Sequence, residues 1–176
     1  ACAVHQGFSD AVETRRIELV MSSAGLSSAD RPVVAAALDR AAATGAPAMS
    51  IQLADGRIIT GKTTSLLGAA SACLMNALKA LAGIDKKMLL IPPSIIEPIQ
   101  HLKVEHMGNH NPRLHTDELL IALSICAVTN PIAGYAIDQL EKLRGCEAHS
   151  TVILSHVDQE QFKKLGVNLT CEPRYQ

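Results

Sequence analysis

A chain of 176 residues that is 48% hydrophobic and 19% charged carries enough apolar material for one α/β domain with its own core, which argues against a disordered chain. Aromatics are only 2% and Trp is absent, so the core is built from Ala, Leu, Ile and Val, and a platform for stacking exposed bases is not available. A net charge of −1 with no basic stripe likewise argues against a nucleic-acid partner.

The chain opens with "ACAVHQGFSD" and no initiator Met, which reads as a piece of something longer. Asp10 and Glu13 have capping-box spacing ahead of the helical period in "VETRRIELVM", and Gly25 fits the stop. Asp30 is expected to cap "RPVVAAALDRAAAT", with Pro32 in the first turn and Gly45 at the end. Residues 1–45 are thus a helical lead-in, and 46–176 an α/β sandwich. In the next stretch Met49, Ile51 and Leu53 alternate with Ser50 and Gln52, the pattern of a half-exposed strand. Asp55-Gly56 is a hairpin turn signal, and Arg57 to Thr60 supplies the return strand.

A long helix is expected from about Thr64 to Ala82, closed by Gly83. "KMLLI" has the wholly apolar character of a buried strand. "PPSIIEPIQHLKVEHMG" reads as a helix started by a Ser94–Glu97 capping box and ended by Gly108. After the polar loop "NHNPRLH" comes the helix "TDELLIALSICAVT", whose acidic first turn suits the helix dipole. Asn130-Pro131 stops it and opens "IAGYAIDQLEKLRG". "STVILS" is a strand, "DQEQFKKLG" a helix and "VNLTC" a last strand. This alternation predicts a mixed sheet with helices on both faces, an antiparallel hairpin at one edge and mostly parallel later strands.

The cysteines Cys2, Cys73, Cys126, Cys146 and Cys171 are odd in number and form no C-x-x-C, which reads as reduced thiols acting as small hydrophobes. No signal peptide is visible, so the expected location is the cytoplasm. The longest apolar run, "SLLGAASACLMNALKALAG", is interrupted by Ser, Asn and Lys and reads as a buried helix, with no membrane partner.

From Gly56 to Thr63 the letters spell G-x-x-x-x-G-K-T, the P-loop pattern of nucleoside-triphosphate sites. The middle residues Arg57, Ile58, Ile59 and Thr60 oppose that reading, because paired Ile residues favour extended backbone over a tight loop. The preceding strand alternates, where a phosphate-loop strand is continuously apolar, and no Walker B strand ends in Asp. A hairpin is the better account. "GKTTS" keeps its interest as a helix N-terminus, where free amides, the hydroxyls of Thr63, Thr64 and Ser65 and the ammonium of Lys62 suit an anion. The plain alternative is an ordinary N-cap beside a solvated lysine.

The segments "DRPVVAAALDRAAATGAPAMSIQLADGRIITGKTTSLLGAASA", "NPRLHTDELLIALSICAVTNP", "LRGCEAHSTVILS" and "LGVNLTCEP" closely resemble the C-terminal part of a bacterial family of long uncharacterised proteins, domain of unknown function 1846. The resemblance runs from about Val12 to the end. It implies a three-layer α-β-α sandwich similar to the cytidine-deaminase-like fold, and an N-terminal portion carrying a separate Gly-rich loop. Zinc deaminases open the helix after the hairpin with H-x-E and the next with P-C-x-x-C. Here those places read "GKTTS" and "PPSIIEP", without a His or Cys ligand, so zinc is not supported and no catalytic residue carries over.

Two polar stretches hold the remaining candidates. "HLKVEHMGNHNPRLHTDE" supplies His106 and His110 as weak metal candidates, and Arg113 and His115, which lead into a helix N-terminus and suit an anionic ligand. "RGCEAHSTVILSHVD" supplies the neighbours Cys146 and His149; such neighbours are rarely a catalytic pair, and His149 is the better candidate, at a sheet rim. The leading functional expectation is a ligand-binding domain of a larger protein, in which Lys62, Thr63, Thr64, Ser65, Arg113, His115 and His149 converge on a small anionic, nucleotide-like molecule. One competing reading is a structural module that packs through Ala-rich helix faces on the N-terminal part of its own protein, or on further copies as a homo-oligomer. The other is a hydrolase-like metal site among the histidines.

Overall fold

The computed structural model describes residues 11–27 and 30–175. The expected Asp10 cap and Cys2 lie outside them. In chain order the elements are α1 (Ala11–Ser23), α2 (Pro32–Thr44), β1 (Ala48–Gln52), β2 (Ile58–Lys62), α3 (Ala69–Ala82), α4 (Pro93–His101), α5 (Thr116–Ala127), α6 (Pro131–Ile137), β3 (Glu147–Ser150), α7 (His156–Lys164) and β4 (Asn168–Cys171). A π-helical turn, Leu102–His106, extends α4, and a 3₁₀ turn, Leu140–Leu143, follows α6.

The sheet is four-stranded, in the order β2-β1-β3-β4. β1 pairs antiparallel with both β2 and β3, placing Ser50 opposite Thr60 on one side and His149 on the other. β3 and β4 are parallel, with His149 beside Thr170. The α/β class, the antiparallel edge and the parallel later pair are therefore as the sequence predicts. The hairpin forms at Asp55-Gly56: Gly56 is left-handed, with φ of 85°, and its N–H donates to Leu53 O at 2.9 Å. Ile58 and Ile59 lie in β2, extended as their branched side chains prefer, so the phosphate-loop pattern is a strand in this protein.

Helices cover the two faces. Ser50 Oγ donates to Val33 O of α2 at 2.5 Å, which puts α2 on the Ser50–Thr60 face. On the other face, with Met49, Ile51 and Ile59, Cys73 Sγ of α3 lies 3.6 Å from Ile59 O. The contact of α3 with β2 is closest at Gly61, where a Cβ would lie 2.1 Å from Cys73 N. The core grows from this contact through Leu74, Leu78, Leu119, Leu123 and Phe162, all fully buried.

Several boundaries differ from expectation. "KMLLI" is no strand: Leu90 and Ile91 are buried, but the run meets Pro92-Pro93, which donate nothing to a ladder, and Lys79 Nζ takes the carbonyls of Lys86 and Met88. The expected strand "STVILS" is shifted toward the N-terminus, and the chain leaves the sheet after Ser150, whose hydroxyl bonds both N–H and C=O of Val152. α3 begins at Ala69 because Thr64 Oγ1 accepts from Leu66 N and Leu67 N and holds a local turn that competes with the helix. Asp30 accepts from Ser27 N and does not cap α2, whose N-cap is Arg31. Pro92, without a side-chain cap, stands where Ser94 and Glu97 are expected to start α4. "IAGYAIDQLEKLRG" splits into α6 and the 3₁₀ turn, although Asn130 caps α6 as expected through Ile132 N. Among the described residues, no helix is long and apolar enough to cross a membrane.

Candidate functional site

Three chain segments meet at the rim of the sheet, and the fold brings each there for a local reason. β2 ends at Lys62, and Thr63 N donates to Pro47 O, keeping Thr63 against the sheet end. The close fit at Gly61 then sets the position of α3, whose N-terminus at Gly68 has no side-chain cap. Leu67 and Leu114 form an isolated parallel bridge, and Ser71 Oγ donates to Leu114 O at 2.8 Å, which docks the loop before α5 beside that helix end. Ser155 arrives as the N-cap of α7, and Asp158 from that helix's first turn.

A cavity of about 110 Å³ lies between these segments, lined among others by Thr63, Gly68, Arg113, His115, Ser155 and Asp158. Small-molecule sites usually span about 300–1,000 Å³, so this one suits a single polyatomic group and not a whole nucleotide. Thr63 is only 8% exposed, and its Oγ1 is buried without a hydrogen-bond partner among the described residues. Native proteins seldom leave such a hydroxyl unmatched, because desolvating it without compensation costs about 1–3 kcal/mol.

Asp158 organises the opposite wall. Its Oδ1 accepts from Thr116 N at 2.8 Å and Thr116 Oγ1 at 3.0 Å, and its Oδ2 from Ser155 Oγ at 2.7 Å and His115 Nδ1 at 3.0 Å. Burial alone pushes the Asp158 carboxyl up. The hydrogen bonds from His115, Thr116 and Ser155 outweigh burial and hold it below its ordinary value. The same bond to Asp158 raises the His115 pKa above 6.5 against the opposing effect of burial. Both partners therefore favour the charged pair. With the proton fixed on Nδ1 by a carboxylate, the Nε2 of His115 remains as an acid or base, and it has no hydrogen-bond partner among the described residues.

Ser155 does not complete a nucleophilic triad. Its hydroxyl sits 3.3 Å from Nδ1, the same nitrogen that Asp158 holds, and it accepts from Asp158 N as the N-cap of α7. A triad serine needs the opposite nitrogen. Arg113 is anchored on both sides: its Nε donates to Thr64 O at 2.8 Å, and its carbonyl accepts from Lys103 Nζ at 2.7 Å. Lys103, 3% exposed, also pairs with Glu118 at 2.7 Å, and Glu118 Oε2 accepts from His115 N.

The rim cavity thus brings together Thr63, Arg113 and His115. Lys62 and Thr64 line a different and larger cavity on the other side of residues 63–68. Ser65 is exposed, and its carbonyl accepts from Gln100 Nε2. His149 lies on β3, 4% exposed, with Nδ1 on Thr170 Oγ1 at 2.8 Å and Nε2 on Glu172 at 3.1 Å; burial lowers its pKa, against the pull of Glu172. Cys146 lies 3.6 Å from Lys142 O, and burial raises its thiol pKa. His106 ends the π-helical turn, with its ring centroid 5.4 Å from that of His101, and His110 lies in the following loop. Among the described residues, no three His, Cys, Asp or Glu side chains group as a metal-binding set. Sequence reasoning did not reach Asp158 or Lys103 as site residues. Asp158 looked like an ordinary acid in a helical first turn, and only the fold brings it to His115, which is 43 residues away.

Residues 29–176 match the family described as domain of unknown function DUF1846, C-terminal. A UPF0371 protein of Corynebacterium efficiens is 57% identical over 167 residues, covering 95% of this chain and 34% of that protein. A UPF0371 protein of Corynebacterium glutamicum is 55% identical over 161 residues, covering 92% of this chain and 32% of its own length. One from Streptococcus pyogenes is 51% identical over 162 residues, with 92% and 33% covered. The chain spans about a third of the length of these curated relatives. With a match over residues 29–176 and a run of relatives above half identity, the chain belongs to the DUF1846 family, as its C-terminal domain.

Proposed function

We propose that this domain binds the anionic group of a small molecule in the rim cavity, with His115 as its proton donor or acceptor. The observation that carries the reading is the buried, unpartnered hydroxyl of Thr63 in a cavity that also holds Arg113, His115 and the uncapped start of α3. A hydroxyl, a guanidinium, an imidazolium and helix amides are the donors a phosphoryl or carboxylate group takes. The element order, with α2 and α3 on opposite sheet faces, supports a three-layer sandwich of the cytidine-deaminase-like kind. In that architecture the start of the helix after the hairpin is where the active site lies, which is where this cavity sits.

Calorimetric titration with sulfate and inorganic phosphate tests the reading. Sulfate keeps its charge across the range, so any pH dependence belongs to the protein. His115 has a raised pKa and is cationic below it, so sulfate affinity is expected to be highest at pH 6 and to fall severalfold by pH 9 as His115 loses its proton. Arg113→Gln is expected to weaken binding about tenfold, the effect of losing a charge-assisted hydrogen bond. Equal binding at pH 6 and pH 9 together with indifference to Arg113→Gln would remove the proposal.

A second reading, a packing module, rests on the exposed apolar residues Ile121, Ile125 and Val128 at 60%, 57% and 83% exposure, in and just after α5. We assign this stripe to the remaining two-thirds of the full-length protein. Light scattering is expected to show the isolated chain as a monomer; a dimer abolished by Ile125→Glu would assign the stripe to self-association instead.

A further inference from the structure

Among the described residues, only two buried side-chain polar atoms have no hydrogen-bond partner. One is the Thr63 hydroxyl of the rim cavity. The other is Nε of Arg40, near the end of α2, and it lines the second cavity, of about 300 Å³, on the far side of residues 63–68. Lys62, at the end of β2, lines the same cavity. Neither cation has an ion-pair partner among the described residues.

The rest of the wall is mainly aliphatic, and its other polar groups are already used. Asn76 Nδ2 donates to Thr60 O at 2.9 Å, and Lys79 Nζ donates to Lys86 O and Met88 O. Among the described residues, no aromatic ring lines the cavity to stack on a nucleobase. With the Lys79 ammonium turned to backbone carbonyls, the two remaining cations, the Arg40 guanidinium and the Lys62 ammonium, match a single carboxylate joined to a hydrocarbon chain better than a multiply charged phosphate ester, which needs more donors. The volume is at the lower end of small-molecule sites, about 300–1,000 Å³, so the chain is short.

We propose that this second cavity binds a small amphiphilic carboxylate, its head group held by Arg40 and Lys62 and its alkyl chain lying on Leu67, Met75, Leu90 and Ile96. The site shares no lining residue with the rim cavity.

The test is calorimetric titration of the chain with octanoate, acetate and octan-1-ol. Octanoate is expected to bind at one site, and acetate and octan-1-ol at least tenfold more weakly, since each lacks one half of the recognition. Arg40→Gln and Lys62→Gln are each expected to weaken octanoate about tenfold with the thermal midpoint unchanged. Both side chains are partly exposed, so either variant serves if the other fails to fold. Thr63→Val, in the rim cavity, is expected to leave octanoate affinity unchanged while weakening sulfate, which separates the two sites. No octanoate binding at millimolar concentration, equal binding of octan-1-ol, or indifference to both charge removals overturns the proposal.

Discussion

Gly61→Ala is expected to destabilise the domain by about 3 kcal/mol, at the upper end of what overpacking usually costs. Gly61 is neither in a turn nor left-handed, so its backbone would accept alanine without strain. The penalty comes from space alone. The new methyl would lie 2.1 Å from Cys73 N, 2.5 Å from Cys73 Cα and 2.6 Å from the Ala72 carbonyl carbon. These are backbone atoms of a helix and cannot rotate aside as a side-chain tip does. α3 must lift off β2, and the core beneath it, Leu74 and Leu78 included, loses contact. Urea denaturation measures the effect. A loss under about 1 kcal/mol would show that α3 does not rest on β2 as described. Because α3 also carries the uncapped N-terminus at the rim, sulfate binding is expected to weaken along with stability.

Asp158→Ala is expected to cost about 3 kcal/mol, the lower end of the range for removing one partner of a buried ion pair. Four donors lose their acceptor at once: Thr116 N, Thr116 Oγ1, Ser155 Oγ and His115 Nδ1. The pH dependence has a definite sign. Asp158 is depressed from 3.8, so its stabilisation is present above that value and is lost as pH falls through the folded pKa. His115 is raised from 6.5, so its share is complete below 6.5 and is lost as pH rises through its folded pKa. The stability gap between wild type and variant is therefore widest between about pH 4 and pH 6.5. It narrows above that window without closing, because the bonds to Thr116 and Ser155 do not need a charged His115. Chemical denaturation across pH 4 to pH 9 checks this, and a gap that widens steadily toward pH 9 would contradict the pairing. The His115 pKa, followed by NMR, should fall in the variant.

Where the sequence was legible, the local signal and the tertiary demand agreed. Asp55-Gly56 between alternating and branched residues could form little but a hairpin, and it forms one. Asn130-Pro131 marks a helix start, and α6 begins there. Legibility failed where long-range partners decided the outcome. "KMLLI" has strand composition, yet Lys79 takes the carbonyls of Met88 and of Lys86 just before the run, and two prolines follow it. Thr64 and Ser65 look like the first turn of a helix, but the Thr64 hydroxyl stabilises a turn and delays the helix to Ala69. The site was legible as a set of residue types and not as a grouping. Lys62 and Thr63 are adjacent in sequence and line different cavities, since neighbours at the end of a strand point to opposite sides. Asp158 and Lys103 carried no signal, because their importance lies in partners that are distant in the chain.

The loop of residues 63–68 is a partition with a cavity on each side. Thr64 lines the larger cavity, while its carbonyl anchors Arg113, which lines the smaller one. Leu67 lines the larger cavity too, and its bridge to Leu114 reaches the smaller one. A shift of this partition toward one side is a shift away from the other. The two volumes thus share one wall, and any coupling across it obeys thermodynamic reciprocity: whatever factor occupancy of one imposes on the affinity of the other is returned in equal measure.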